Sequence, residues 1–464
     1  MSNADIKRRD IPNRMADLIE QPIIPTLFSL AAPNALGFFV TSCVSIAEMW
    51  FVGRLGTASL AGLALAFPLV MLMQMQSNGS VGGVIAAMVA RAMGAGDISR
   101  ANGILWHAIC VGMILSLAYT GLYFLFGEML FRFLGGTSEA LREALTYGNF
   151  VFTLIFCLWM FNMCGSVLRG AGDMKSPATG MVLVAVVQVT LSGVLCLGGL
   201  GIPALGIKGL AIGIIAAQAT GWAFLTLRLR SGRSAVRFTR KALKPDRDIV
   251  RAILKNGMIA TINPFLTVIS IIMITAFVGR YGVAAIAGYG IGTRLEFILI
   301  PIVFGFGAAM ISLIGSNIGA GRILKAEQVG WSGAGISAVI CGLIGGVVAF
   351  FPMLWADHFS QSPEVLEVSY NYLRIVGPFY FFFGLGLSLF FASQGAQALT
   401  WPVIANLIRL GIAVGGGYMA IQYFSANLNG LMGVVSGSLA TYGIIVALAL
   451  KFGAWRRANP DVQA

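Results

Sequence analysis

The chain has 464 residues, of which 58% are hydrophobic and 11% charged, with a net charge of +13 and a mean hydropathy of +0.85. A water-soluble domain carries roughly 25% charged residues, so these figures exclude one. They predict an all-α integral membrane protein: the apolar runs are long enough to cross roughly 30 Å of hydrocarbon as helix, whereas barrel strands would alternate over about 10 residues.

A polar N-terminal tail comes first, without the short basic-then-apolar form of a cleaved signal. Charge and Gly/Pro punctuation then predict twelve spans near 22–51, 59–88, 101–127, 144–168, 177–199, 207–227, 258–279, 284–316, 327–354, 366–393, 402–424 and 430–451. The densest basic run, 228–255, separates the sixth span from the seventh. This predicts a first lobe over 1–227, a basic cytoplasmic linker over 228–257 and a second lobe over 258–464.

With the N-terminus in the cytoplasm, 23 of the 31 Lys and Arg residues fall inside, beginning with Lys7, Arg8, Arg9 and Arg14. Only six fall outside (Arg54, Arg132, Arg142, Lys208, Arg280 and Arg374), while Arg294 and Arg409 stay within spans. That bias predicts both termini in the cytoplasm. It also accounts for the net charge through topology and anionic headgroups, and argues against a nucleic-acid partner.

The six cysteines all lie in apolar spans without CxxC spacing and read as small packing residues. The two histidines, His107 and His358, have no acids near them in sequence, so no metal site is expected. GAGDIS (94–99) and LRGAGDMKSP (168–177) lack the phosphate-loop pattern, which argues against ATP hydrolysis.

An internal repeat runs through the chain. FVGRLGTASLAG at 51–62 and FVGRYGVAAIAG at 277–288 agree at eight of twelve positions, 226 residues apart. GAGDISRA (94–101) matches GAGRILKA (319–326) at an offset of 225, and Gly170, Ala171 and Pro177 match Gly395, Ala396 and Pro402. Six spans separate equivalent points, so the repeat is parallel, about an axis along the membrane normal. The expected architecture is therefore twelve transmembrane helices in two parallel-repeat six-helix lobes around a central cleft, which suits alternating access.

These motifs resemble the multidrug and toxic compound extrusion (MATE) transporters. Pro33 in the first span, EMWFVGRLG at 48–56, GAGD at 94–97, LRGAGDMKSP at 168–177 and GIGTRLEFILIP at 290–301 carry the likeness over essentially the whole chain. The last segment is similar to the bacterial damage-inducible subgroup. The resemblance implies export of cationic or amphipathic small molecules, coupled to inward H⁺ or Na⁺, by a monomer in the bacterial inner membrane. It also implies pocket positions at Thr41, Gln188 and Ser192. The family's usual first-span aspartate is Glu48 here, and an Asn and an Asp of archaeal members are replaced by Gln188 and Ser192. Acids used elsewhere in the seventh and tenth spans would fall near the uncharged Thr267 and Phe383.

Of eighteen Asp and Glu residues, only Glu48 and Glu296 lie well within spans. An ionised carboxylate at bilayer depth costs at least about 2.5–3.5 kcal/mol, so each needs a partner, a water cavity or a proton. Glu48 has no deep cation in the first six spans, which suits reversible protonation. Pro33 removes a helix hydrogen bond and offers a bend that can respond to that proton. The alternative is an interfacial glutamate that reaches external water. Glu296 is expected near mid-span, with Arg409 at similar depth; Arg294, two positions away on the helix, points elsewhere. This second-lobe group reads equally as a structural pair or as a coupling or substrate site.

The sequence thus predicts a secondary-active exporter, not an enzyme, with Glu48 carrying H⁺ and no cofactor beyond the ion gradient. Rival readings are a Na⁺-coupled exporter and a flippase of lipid-linked precursors, which would be expected to carry several deep arginines for pyrophosphate.

Overall fold

The computed structural model describes residues 18–199, 201–239 and 244–462. Lys7, Arg8, Arg9 and Arg14 of the N-terminal tail, and Arg240 and Lys241 of the basic loop, lie outside these. The described residues are almost wholly helical. In chain order they form α1 (Ile23–Gly53), α2 (Thr57–Gln74), a π-helical turn (Met75–Ser80), α3 (Val81–Gly94), α4 (Ile98–Phe133), α5 (Ser138–Thr153), α6 (Phe156–Gly170), α7 (Lys175–Leu197) and α8 (Ile207–Arg230). There follow α9 (Arg247–Gly279), α10 (Val283–Thr293), α11 (Glu296–Gly319), α12 (Ile323–Phe350), α13 (Pro363–Val376), α14 (Tyr380–Gly395), α15 (Thr400–Gly411), a second π turn (Ile412–Gly416), α16 (Gly417–Phe424) and α17 (Leu428–Lys451).

Eleven stretches are long and apolar enough to cross a membrane unaided, and α5 with α6, bent by 50°, supplies a twelfth. Several spans are built from two helices: α2 with α3, α10 with α11, α13 with α14 and α15 with α16. Large apolar side chains such as Leu125, Met129 and Phe133 are exposed. In a bilayer their solvent is lipid, and only backbones paired internally as helix survive there.

The chain divides into two compact units, one of Leu36–Gly257 and the other of Gln21–Ala35 with the described residues from Met258 onward. The start of α1 thus groups with the second unit, where the Phe28 and Phe306 rings meet edge-on at 5.3 Å and Ala35 packs on Gly305. Unit 1 is held by close helix contacts. A methyl on Gly213 would stand 2.6 Å from the Ser192 backbone nitrogen, so α7 and α8 meet backbone to backbone. In unit 2 the same device joins α12 to α14, where a methyl on Gly384 would stand 2.8 Å from the Ser337 carbonyl oxygen. Small residues permit such approach, and dispersion and lipid release reward it.

The repeated GAG motifs prove to be helix ends. After α3, Gly96 (φ 75°) bonds its N–H to the Met93 carbonyl at 3.1 Å and Asp97 bonds to Ala92 at 2.9 Å. Gly321 (φ 78°) repeats the pattern after α11, with bonds to Ile318 and, from Arg322, to Asn317. The same paired bonds recur after α6 at Gly172 (φ 79°) and after α14 at Gln397 (φ 55°). These are Schellman caps, which satisfy the last orphan carbonyls and need a left-handed residue.

Among its described residues, the basic stretch 228–257 is helical at both ends. α8 continues to Arg230 and α9 begins at Arg247, eleven residues before the predicted span. Between them the chain is strapped to α4: Arg237 N–H donates to Asn102 Oδ1 (2.8 Å), Trp106 Nε1 to the Thr239 carbonyl (3.1 Å) and Asp246 N–H to His107 Nε2 (2.9 Å).

Candidate functional site: two carboxyl centres within the spans

The first centre lies in unit 1, where α1 and α7 run side by side in the same direction. A methyl on Gly37 would stand 2.7 Å from Met181 Sδ, and one on Gly193 would stand 3.0 Å from the Phe51 ring. Between these contact points Gln188 Nε2 donates to Glu48 Oε1 at 2.7 Å. Both side chains are half-buried. Tyr147, buried on α5, and Cys196, at the end of α7, lie within reach of the carboxylate's field. No Lys or Arg forms an ion pair with Glu48 among the described residues.

An amide partner serves both protonation states of an acid. Its NH₂ donates to a carboxylate, and its carbonyl accepts from a carboxylic acid. The structure therefore brings two of the expected residues, Glu48 and Gln188, into direct contact. Thr41 sits two helical turns before Glu48 on the same face, but its hydroxyl donates to the Gly37 carbonyl at 3.0 Å. Ser192 is fully buried and turns toward α8, where it meets the Leu210 carbonyl at 3.4 Å. Pro33 lies within α1 and leaves the Ser29 carbonyl without its helical donor. Asn34 follows, buried, with its amide donating to the Leu30 carbonyl at 3.1 Å.

The second centre lies in unit 2. Glu296 lies well inside the span Val283–Gly319, as the first residue of α11, directly after a break at Arg294 and Leu295. The Tyr380 hydroxyl faces its carboxyl, Tyr380 pairs with the Tyr372 hydroxyl at 3.3 Å, and Tyr372 meets the Tyr289 ring edge-on at 5.4 Å. Arg409 acts on Glu296 through its charge but forms no direct ion pair with it among the described residues. Its guanidinium lies 5.8 Å from the Tyr442 ring centroid, and its buried Nε lacks a hydrogen-bond acceptor. Arg294 turns outward, 5.8 Å from the Phe359 ring. Nearby, the Asn406 amide is shared among the Asn263 side chain, the Asn263 carbonyl (3.0 Å) and Thr267 (3.3 Å).

Three features escaped the sequence. The tyrosines around Glu296 come from α10, α13 and α14, and nothing in the spacing links them. Arg169, expected in a loop beyond the fourth span, is buried at 5% exposure in the last turn of α6. There it donates to Asn78 Oδ1 (2.6 Å) and Ser166 Oγ (3.0 Å), while Asn162 donates to Ser77 (2.8 Å). The first half of the chain thus does bury an arginine, held by Asn78 of the π turn and Ser166 of α6. Both π turns also lie in spans that read as ordinary helix.

A helical membrane protein with twelve apolar spans, two like halves and one polar centre in each has the construction of a transporter. The MatE family model matches residues 33–194 and again 260–419, one copy in each half. The chain belongs to this family, the MATE transporters, and is therefore a transporter and not an enzyme. It is similar to a protein called FAD transporter from Shewanella oneidensis, with 26% identity covering 96% of this chain and 97% of that protein. A probable multidrug resistance protein, NorM, of Thermotoga maritima is 23% identical, with 93% of each chain covered. The multidrug export protein MepA of Staphylococcus aureus is 22% identical, with 93% of each chain covered. Among solved structures, a MOP superfamily transporter from Pyrococcus furiosus superposes with a TM-score of 0.87 at 22% identity, covering 95% of this chain and 97% of that one. An outward-facing multidrug resistance MATE transporter also gives 0.87 at 22% identity, covering 94% and 97%.

Proposed function

We propose that this chain is a secondary-active exporter of amphipathic or cationic small molecules, driven by inward H⁺ movement through protonation of Glu48. One observation carries the reading: the deep carboxyl of unit 1 is held by a neutral amide and by no cation. A permanent cation would fix the ionised form, whereas Gln188 accommodates loading and unloading of a proton. Ionised Glu48 attracts a cationic cargo. Its protonation removes that attraction and alters the charge carried beside α7, and Pro33 gives α1 a place to bend in response. The positive-inside bias supports both termini in the cytoplasm and placement in a bacterial inner membrane.

The test is efflux of a cationic dye from vesicles under a pH gradient or a Na⁺ gradient, each imposed alone. Transport is expected under the pH gradient, and Glu48→Gln should remove it while the protein stays in the membrane. Transport driven by Na⁺ alone would favour a sodium-coupled exporter.

The relative called FAD transporter favours a second reading, in which the cargo is an amphipathic anion of the flavin dinucleotide class. Counterflow of FAD against a cationic dye in the same vesicles separates the two cargoes.

A further inference from the structure

α9 is 33 residues long, about 50 Å at 1.5 Å per residue, against roughly 30 Å of hydrocarbon. The cations at its start place that excess length in the headgroup layer, beyond the acyl chains. Only as helix do the side chains acquire a common face. At about 100° per residue, Arg247, Arg251, Lys255, Met258, Ile262 and Phe265 share an arc of about 80°. All six are exposed, Met258 by 71%, Ile262 by 43% and Phe265 by 42%. The opposite face, with Ile249, Ile253 and Ala260, is buried.

One helix face thus carries three cations and then, without interruption, exposed apolar side chains. None of the three cations is paired with an acid among the described residues. The two nearby acids are accounted for. Asp246 Oδ1 caps α9 by accepting from Asp248 N–H (2.9 Å) and Ile249 N–H (3.3 Å). Asp248 lies about 100° around the helix from Arg247. The preceding strap, pinned to α4 by Asn102, Trp106 and His107, fixes where this face begins.

We propose that this face of α9 is a binding site for an anionic phospholipid, with the headgroup phosphate on Arg247, Arg251 and Lys255 and an acyl chain along Met258, Ile262 and Phe265. Guanidinium groups match phosphate in a forked geometry, and the apolar stripe beneath supplies what a free phosphate lacks. The surface goes beyond the transport reading and does not depend on it.

The test is retention of lipid by the purified full chain, read by native mass spectrometry after addition of equal phosphatidylglycerol and phosphatidylcholine. The wild type should retain phosphatidylglycerol in preference by about tenfold or more. The triple variant Arg247→Gln/Arg251→Gln/Lys255→Gln should bring that ratio near one, while Lys451→Gln/Arg457→Gln, which removes exposed cations elsewhere, should leave it unchanged. Should the triple variant fail to accumulate, Arg251→Gln is compared with Arg251→Lys, and only the former should lower the ratio. The proposal is overturned by equal retention of both lipids, by a triple variant that keeps its preference, by an equal loss in the control pair, or by glycerol phosphate displacing the lipid as well as phosphatidylglycerol does. Dye efflux measured on the same preparations reports Glu48 separately.

Discussion

Glu48 and Glu296 are the two carboxyls set within the spans, both half-buried, and their surroundings differ in kind. Glu48 projects from the continuous helix α1 onto one neutral amide, with no cation in contact. Glu296 opens a new helix after a break, faces a tyrosine hydroxyl and lies in the field of Arg409. An acid that must gain and lose a proton is served by a partner indifferent to its charge. Glu296 instead meets a hydroxyl donor, with a cation at a distance. The repeat makes the contrast sharper, because the position equivalent to Glu48 is the buried, apolar Ile274. The two halves share a scaffold, and the surroundings of their carboxyls differ.

The largest expected effect separates the two acids directly. Glu48→Gln should reduce efflux driven by a pH gradient to the level of empty vesicles, whereas Glu296→Gln should retain a clear response to the gradient. Equal loss in both would end the distinction drawn here. Next, Arg409→Leu should leave Glu296 without its cation and lower stability by up to about 3 kcal/mol, seen as a fall in melting temperature. Adding Glu296→Gln to that variant should recover most of the loss; no recovery would mean that Arg409 acts by packing alone.

A smaller effect is expected at Gln188→Leu. Leaving the Glu48 carboxyl unpartnered costs about 1–3 kcal/mol, so coupled efflux should fall roughly tenfold, with Gln188→Asn intermediate. The smallest concerns the repeated caps. Gln397 adopts the left-handed conformation that Gly172 supplies in the other half. Gln397→Gly should therefore raise the melting temperature by an amount equivalent to about 1 kcal/mol, and Gly172→Gln should lower it by a similar amount.

Much of the architecture was legible because it follows from hydrophobic length. Twelve spans, the repeat offset and the helix-ending role of glycines are local properties, and a bilayer leaves helix as the pairing solution for each apolar run. Composition also marked Glu48 and Glu296, since a deep carboxyl is costly wherever the chain folds. Breaks inside spans were not legible: α10 and α11 read as one apolar run, and only packing puts Glu296 at a helix start. The pocket residues divided for the same reason. Gln188 reaches Glu48 because glycines at 37 and 193 let α1 and α7 close together, while Ser192, one turn further along α7, faces α8 instead.

The amino-acid sequence by itself determined that this protein spans a membrane as two six-helix repeats, and which carboxyls must be placed in a poorly hydrated interior. Hydrophobic run length and charge are properties of the chain, read before any contact forms. Tertiary structure alone decided what each carboxyl meets, that Arg169 is buried among neutral groups, and that the basic stretch before the seventh span is helix with one cationic face. Those outcomes depend on which helix faces touch, and that is set by close approach between residues far apart in the chain.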